Sequence, residues 1–263
     1  MTFNLLASPD VFLRAGRIAE TVGTYLPDAV GFQEATAAHY MTAIRYLTEN
    51  YGYKRANGIM SHGAGINYTP ILYRPDKLTL LESGGKLFDS RWKFTRTKSY
   101  NYAVLTEKVS GRIFAVINSH FSLVRRKYDL RLMGYPANTD RDALEDRWQS
   151  GNVRELKELC RTLLNKYKKM PMFFTGDFNF TRDSAAHGKM SGFCADAETE
   201  AESRMENVAS FRKKIGGQSA AGKPIDHIFI LKNTAGAVSH VVDTVLSRYA
   251  SDHSAVIADV TLK

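Results

Sequence analysis

Apolar runs that end in polar side chains recur along this chain. The clearest example extends from Pro171 to Phe180. Apolar residues there lead to Gly176 and then to Asp177 and Asn179, which have an aromatic residue between them. Such a run is typical of a buried strand. Residues two apart on a strand project to the same face, so we expect Asp177 and Asn179 to point together beyond the sheet edge. A turn is the competing interpretation, because Gly, Asp and Asn are common turn residues.

The first fifty residues predict two strand–helix units. Their apolar spacing indicates strands over 2–6 and 29–34 and helices over 11–26 and 35–50. Such an alternation predicts parallel neighbouring strands. The strands carry Asn4 and Glu34 at their ends, so both side chains are expected at the sheet edge where α/β proteins bind ligands.

The rest of the chain is richer in strands. The pattern predicts strands over 70–74, 77–87, 100–109, 112–120, 224–231 and 238–245, a helix over 142–169, and a terminal strand that follows Asp252 and His253. His120 ends one of these strands, and Asp226 lies near the start of another. Between 181 and 222 the polar pattern predicts loops and short helices.

Length and composition favour a single large domain. The chain has 263 residues, of which 44% are hydrophobic, so it can bury a large core as one domain or two small ones. No Pro/Gly/Ser-rich linker divides it, and we expect one α/β domain over 1–263. No apolar run approaches the roughly 20 residues of a membrane span. Cys160 and Cys194 have no partner at metal-ligand spacing and are expected to be core thiols.

The charge balance points to a polyanionic partner. The formal net charge is +9, as in many proteins that bind nucleic acid. Three basic clusters are Arg91–Lys98, which is interleaved with aromatic residues, Arg125–Lys127 with Arg131, and Arg212–Lys214 with Lys223. A solvated basic face is the alternative interpretation of each.

Taken singly, each polar strand end has an ordinary structural explanation. Together they form a set rich in oxygen donors with two imidazoles: Asn4, Glu34, His120, Asp177, Asn179, Asp226, Asp252 and His253. Hard oxygen ligands without cysteine suit Mg²⁺, Mn²⁺ or Ca²⁺ and argue against a structural zinc in this set.

The order of these motifs resembles the endonuclease/exonuclease/phosphatase superfamily, which includes deoxyribonuclease I, exonuclease III, neutral sphingomyelinases, inositol polyphosphate 5-phosphatases and deadenylases. The series is Phe3-Asn4-Leu5, Gln33-Glu34, Asn118-Ser119-His120, Gly176-Asp177-Phe178-Asn179, Ile225-Asp226-His227-Ile228 and Ser251-Asp252-His253-Ser254. The resemblance covers residues 3 to 260 and implies a four-layer α/β sandwich, in which two mixed sheets pack face to face with helices outside. It also implies a divalent-metal phosphoester hydrolase.

The resemblance assigns roles that phosphoester hydrolysis requires. It implies that Glu34 is the principal metal ligand, supported by Asn4 and Asp252. The implied catalytic residues are Asp177, which positions and activates water, Asn179 and His120, which donate to the phosphate, and His253, which is oriented by Asp226. Whether Asp177 or His253 takes the proton stays open.

Departures from subfamily patterns bear on the substrate. The segment Pro224–His227 differs from the Trp-Cys-Asp-Arg of inositol polyphosphate 5-phosphatases, and His120 stands where exonuclease III-like enzymes usually have Tyr. We therefore expect a phosphodiesterase that acts on nucleic acid or nucleotide, as a monomer without a stable protein partner. A phosphatase, an enzyme acting on phospholipid head groups, and an inactive nucleic-acid-binding module are the alternatives.

Overall fold

The computed structural model describes residues 1–56, 58, 67–89, 91, 97–124, 130, 134–205, 208–217 and 222–262. The helices are α1 Val11–Tyr25, α2 Ala37–Met41, α3 Ala43–Asn50, α4 Arg141–Tyr167, α5 Ala185–Ser191 and α6 Ala197–Glu200. The strands are β1 Thr2–Asn4, β2 Ala29–Gln33, β3 Lys54–Arg55, β4 Ile71–Tyr73, β5 Leu78–Leu87, β6 Ser99–Glu107, β7 Ile113–His120, β8 Met172–Asp177, β9 Cys194–Asp196, β10 Ser203–Arg204, β11 Asp226–Leu231, β12 Ala235–Asp243 and β13 Ala255–Leu262.

The strands of the described residues form two mixed sheets. One sheet has seven strands in the order β10-β12-β13-β1-β2-β4-β3, and the other has six in the order β5-β6-β7-β8-β11-β9. The predicted parallel pair at the start of the chain is confirmed, because β1 and β2 pair in parallel. In the second sheet β7 and β8 are parallel, whereas β8 and β11 are antiparallel.

Apolar side chains join these sheets into a four-layer α/β sandwich, as predicted. Between the sheets, Ile71 of β4 and Val256 of β13 share a buried cluster with Leu105 of β6 and Phe114 of β7. A second cluster packs α1 and α3 on the outer face of the seven-stranded sheet. A third packs α4 on the outer face of the other sheet. No helix among the described residues is long and apolar enough to cross a membrane.

The long helix α4 follows directly from its sequence. Asp140 caps its first turn, since the side-chain carboxylate accepts the backbone N–H groups of Asp142 and Ala143 at 3.0 and 3.1 Å. The residues Leu156, Cys160 and Leu163 recur at helical spacing and are buried in the core. Cys160 and Cys194 are both free and buried, as expected.

The helix predicted over 35–50 is instead two helices that meet at Thr42. Its backbone has φ −122° and ψ −98°, outside the helical region. The Thr42 hydroxyl donates to the Ala38 carbonyl at 2.6 Å, and back-bonding of this kind bends helices. Between 181 and 222 the strands β9 and β10 accompany the predicted short helices, and they have too few residues to produce a period-two pattern.

Polar side chains bridge the two sheets beside the polar strand ends. Asn118 of β7 is fully buried; its Nδ2 donates to the Phe32 carbonyl at 2.7 Å, and its Oδ1 accepts Gln33 Nε2 at 2.6 Å. Gly31 leaves room for this bridge, because a Cβ there would lie 2.3 Å from Asn118 Oδ1. Asn118 thus fixes one sheet against the other beside Gln33, which immediately precedes Glu34.

Candidate active site

A row of polar side chains crosses four neighbouring strands of the six-stranded sheet. Ser99 is in register with His120, His120 with Asp177, and Asp177 with Asp226. Directly opposed residues project to the same face of a sheet, and all four are buried. The strand β8 approaches β7 closely at Gly176, where a Cβ would lie 2.2 Å from the Ser119 carbonyl oxygen. Three predicted site residues, His120, Asp177 and Asp226, are thereby brought together.

The seven-stranded sheet supplies the opposing side chains. Asn4, at the end of β1, donates from Nδ2 to Asp177 Oδ2 at 2.9 Å, across the gap between the sheets. His253, just before β13, bonds through Nδ1 to Asp226 Oδ2 at 2.8 Å. The His253 Nε2 lies 3.9 Å from Asp177 Oδ2 and 4.0 Å from Asp252 Oδ1. The predicted pairing of Asp226 with His253 is therefore present in the structure.

Glu34 occupies a left-handed backbone position immediately after β2. Its φ is 59°. This backbone conformation costs free energy for a residue with a Cβ, and residues that adopt it are concentrated at functional sites. The Ala7 N–H donates to Glu34 Oε2 at 2.8 Å. Burial alone would raise the pKa of Glu34, but the nearby His120, the Ala7 N–H and Lys98 lower it below its usual value. The carboxylate is ionised at neutral pH.

A buried arginine holds the loop that carries His253. Arg212 Nη2 donates to the Ser251 and His253 carbonyls, both at 3.0 Å, and Nη1 donates to Ser254 Oγ. The ring of Phe211 lies 4.9 Å from the His253 ring. The sequence pattern places Arg212 in a basic surface cluster. That prediction is wrong for this residue, because its guanidinium is buried and hydrogen-bonded inside the protein. The neighbouring Lys213, Lys214 and Lys223 are exposed.

Neighbouring charges set the ionisation states of His253 and Asp177. Burial alone would lower the pKa of His253, but the charge and hydrogen bond of Asp226, with the charge of Asp177, raise it to about 10. Burial would raise the pKa of Asp177, but His120 and His253 hold it far below its usual value. At neutral pH, His253 is an imidazolium and Asp177 a carboxylate.

Two residues beside His120 were missed by the sequence analysis. Lys98 Nζ lies 2.5 Å from His120 Nε2, and the Tyr68 ring is stacked on the imidazole at a centroid distance of 6.3 Å and an interplanar angle of 4°. Burial and then the Lys98 charge lower the pKa of His120. Its Nδ1 is buried and has no hydrogen-bond partner among the described residues. Lys98 immediately precedes Ser99, which is in register with His120 across the sheet. In the sequence, Lys98 stood out only as the end of a basic cluster.

Asn179 does not project from the strand as expected. The strand β8 ends at Asp177, and Asn179 has a left-handed backbone with φ 54°. Its N–H donates to Asp177 Oδ1 at 3.0 Å, and its Nδ2 donates to the Phe121 carbonyl at 3.0 Å. The residue lies beside Asp177, but it reaches this position through a turn. The prediction that both side chains project from one strand was therefore wrong.

The donor set fits a hard divalent cation. Glu34, Asp252 and Asn4 offer oxygen atoms, the ligands that Mg²⁺ and Mn²⁺ prefer. Asp252 is partly buried. Burial raises the pKa of Asp252, and the charges of Glu34 and Asp177 raise it further while His253 lowers it. A cation placed among these carboxylates relieves this repulsion. Asp177, Asp226 and His253 also lie close enough together to share an ion.

Two of the predicted basic clusters lie wholly or mostly outside the described residues, although Lys98, at the end of the first, lies against His120. Residues 125–127 and 131, and residues 92–96 of the first cluster, lie outside the described residues. Arg91 is described and bonds to Asp89 at 3.0 Å. That these clusters contact a polyanionic partner stays a prediction.

The sequence and these site features define a class of phosphoester hydrolases. A family model described as Endonuclease/Exonuclease/phosphatase family matches residues 1–253, and the chain belongs to that family. Its members are hydrolases that act on phosphoester bonds and generally depend on a divalent metal. A search of curated proteins found no significant match.

Solved structures share the fold at low sequence identity. An endonuclease/exonuclease/phosphatase from Bacteroides vulgatus is 20% identical, with a TM-score of 0.81 over 100% of this chain and 97% of that chain. The Bacteroides thetaiotaomicron mannosyl-6-phosphatase is 18% identical, with a TM-score of 0.77 over 99% and 98%. D. rerio TDP2, in complex with a single strand DNA product, is 15% identical, with a TM-score of 0.65 over 99% and 97%.

Proposed function

We propose that residues 1–263 form a single catalytic domain that hydrolyses phosphodiesters of nucleic acid or nucleotide with the help of a divalent cation. The observation that supports this most strongly is the convergence of Asp177 with Asn4, His120 and His253 between the two sheets. Ionised carboxylates and a buried imidazolium that meet between the two sheets would provide both a cation site and a donor for phosphoryl oxygens.

Glu34 is the principal residue to hold the cation, with Asp252 and Asn4 completing the set. Its carboxylate is oriented by the Ala7 N–H at 2.8 Å. Mg²⁺ or Mn²⁺ bound there would neutralise charge on the phosphoryl oxygens. Asn4 also donates to Asp177, so the same residue ties the cation set to the catalytic carboxylate.

The ionisation states divide the remaining roles. Asp177, a carboxylate, accepts a hydrogen bond from the attacking water and orients it. His253, an imidazolium whose pKa is raised to about 10 mainly by Asp226 against the effect of burial, donates to the phosphoryl group as negative charge develops. Asp226 fixes the tautomer and ring angle of His253 through the 2.8 Å bond. His120 and Asn179 are the further donors to the phosphate.

The net charge of +9 supports a polyanionic substrate. One structural neighbour, TDP2, was solved with a DNA product. A second candidate is a small phosphate ester, because the neighbour described as a mannosyl-6-phosphatase has the higher TM-score, 0.77 against 0.65. Salt separates the two: each phosphate contact on a nucleic acid releases counterions, so affinity falls steeply with ionic strength.

The test is a hydrolysis panel with Mg²⁺ or Mn²⁺. It compares plasmid DNA, single-stranded RNA, a chromogenic phosphodiester, sphingomyelin, inositol phosphates and a sugar phosphate, and repeats the best substrate across a salt series. We expect the nucleic acids to be cleaved, with a KM that rises steeply with salt. Turnover restricted to a small ester and insensitive to salt would refute the nuclease assignment and leave the phosphoesterase intact. Nucleic-acid binding with no hydrolysis of any substrate would favour the inactive binding module.

A further inference from the structure

A second cluster of metal-binding side chains lies on the face of β11 opposite the candidate active site. We propose that His187, Asp196 and His227 form a site for Zn²⁺ or a similar transition-metal ion, separate from the catalytic cation. Asp226 and His227 are consecutive on the strand, so their side chains project to opposite faces of the sheet. The ligands come from α5, β9 and β11.

The distances within the cluster fit one small ion. His227 Nδ1 lies 3.2 Å and His187 Nε2 lies 3.5 Å from Asp196 Oδ2. Zinc holds nitrogen and oxygen ligands at about 2.0–2.2 Å in a tetrahedron, which places two ligand atoms roughly 3.3 Å apart. All three ligand atoms lie within 4.8 Å of one another. The two distances to Asp196 Oδ2 match this spacing, and a bound ion would bring the two imidazole nitrogens to the same separation.

Each ligand already has a partner that orients it toward the centre. His227 Nε2 lies 3.1 Å from the Phe180 carbonyl, and His187 Nδ1 lies 3.3 Å from Ser191 Oγ. The Asp196 Oδ1 accepts the Glu198 N–H at 3.1 Å, which leaves Oδ2 facing both imidazoles. Histidine ligands usually have their second ring nitrogen held by an oxygen in this way, since it fixes the tautomer and the ring orientation.

The donor set is chemically different from that of the candidate active site. Two imidazole nitrogens and one carboxylate suit Zn²⁺, whereas the oxygen-rich set around Glu34 suits Mg²⁺. The rings of Phe180 and Phe229 lie 5.5 and 5.3 Å from the His227 ring and exclude water on that side. His187 is partly exposed, so the fourth ligand is a water molecule from the solvent side.

Arg182 is the group that must move when the ion binds. Its Nε lies 3.7 Å from Asp196 Oδ2, and its Nη2 pairs with Glu198 at 2.5 Å. A guanidinium so close opposes a cation electrostatically. The Arg182 side chain is 38% exposed, so it can turn toward solvent. Without this charge the site should bind the ion at least as tightly.

The test uses a Glu34→Gln/Asp252→Asn/His253→Gln protein, in which both groups of potential ligands in the candidate active site are weakened, and titrates it with Zn²⁺ against a chromogenic zinc chelator. We expect one Zn²⁺ per chain. His187→Gln and Asp196→Asn, added to this background, should each weaken binding by at least about tenfold. Asp183→Asn, a matched loss of one exposed carboxylate nearby, should leave it unchanged, and Arg182→Met should leave it unchanged or tighter.

The proposal is overturned if no saturable Zn²⁺ binding occurs or if His187→Gln binds as well as its parent. If the cluster variants fail to fold, the visible spectrum of Co²⁺ is measured instead in the same background protein, whose outer cluster carries no substitution. A visible spectrum of tetrahedral Co²⁺ supports the site, and an octahedral spectrum or no binding overturns it. Hydrolytic activity enters none of these measurements, so their failure would leave the proposed function untouched.

Discussion

Two acid–imidazole pairs lie on opposite faces of the same strand. Asp226 bonds to His253 at 2.8 Å on the inner face, and Asp196 bonds to His227 at 3.2 Å on the outer face. All four residues are buried. The inner pair is surrounded by further charges, including Asp177, whereas aromatic rings surround the outer pair. The same chemical pair therefore stands among charged groups on one face of the strand and among aromatic rings on the other.

The largest expected effect comes from removing each imidazole in turn. His253→Ala should lower kcat by about 10²–10⁴-fold, the range for a group that moves or donates a proton in the transition state. His227→Ala should leave kcat within a few-fold of the parent and reduce stability instead. Steady-state kinetics on the best substrate, with circular dichroism and thermal melts of both variants, check this. Equal losses of kcat in two folded variants would mean that the two faces of β11 are not functionally distinct.

A smaller effect is expected when the orienting acid is neutralised. Asp226→Asn keeps a hydrogen-bonding group near His253 but removes the charge that, against burial, raises the pKa of His253 to about 10. We expect kcat to fall by less than in His253→Ala, because the imidazole itself remains, and the pKa of His253 to move down toward the usual range for histidine. An NMR titration of the His253 ring in the metal-free protein measures this directly. An unchanged pKa would contradict the role given to Asp226.

Much of the fold and of the inner site could be predicted from sequence. The strands that end in His120 and Asp177 carry apolar runs, and the order of the polar strand ends along the chain resembles a family in which those ends form one site. Asn179 was misplaced because the pattern cannot reveal where a strand stops and a left-handed turn begins. Lys98 was hidden within a basic run, although it lies against His120 inside the protein.

The outer pair was harder to predict for a physical reason. Asp196 belongs to a strand of three residues, which is too short to produce a periodic pattern. His187 lies nine residues earlier on a separate helix, and only the fold brings it to His227. No functional role was assigned to His227 from the sequence. It is buried and hydrogen-bonded at both ring nitrogens.

The outer pair should matter for stability more than for catalysis. Asp196→Asn weakens the hydrogen bonds to His227 and His187 and should lower the free energy of unfolding by about 1–3 kcal/mol. The kcat of the folded variant should stay near that of the parent. Urea unfolding of the metal-free protein and kinetics at low temperature provide the two measurements. A large loss of kcat with unchanged stability would reverse the roles of the two faces.

The remaining expected effect on stability is a slope with pH. Asp226 raises the pKa of His253 in the folded state to about 10, against the effect of burial, while the unfolded value is about 6.5. The protonated ring therefore stabilises the fold fully below about pH 6.5, and this contribution is lost as pH rises through about 10. The pKa of His227 is raised too, by Asp196 against burial, and adds to the same slope.

Urea unfolding between pH 6 and 10 in the presence of a chelator measures this slope. His253→Gln should flatten it while retaining the part that belongs to His227. An identical slope in the variant would show that His253 is not an imidazolium in the folded, metal-free protein.

The central claim is that Glu34 and its neighbours hold a divalent cation for phosphoester hydrolysis. The most direct measurement is the rate of cleavage of the best panel substrate by the parent protein and by Glu34→Gln, after chelation and after readdition of Mg²⁺ or Mn²⁺. We expect the parent to be inactive with chelator and to recover with the ion, and Glu34→Gln to lose at least about a hundredfold in activity while keeping its fold. Hydrolysis that survives both chelation and Glu34→Gln would contradict the account.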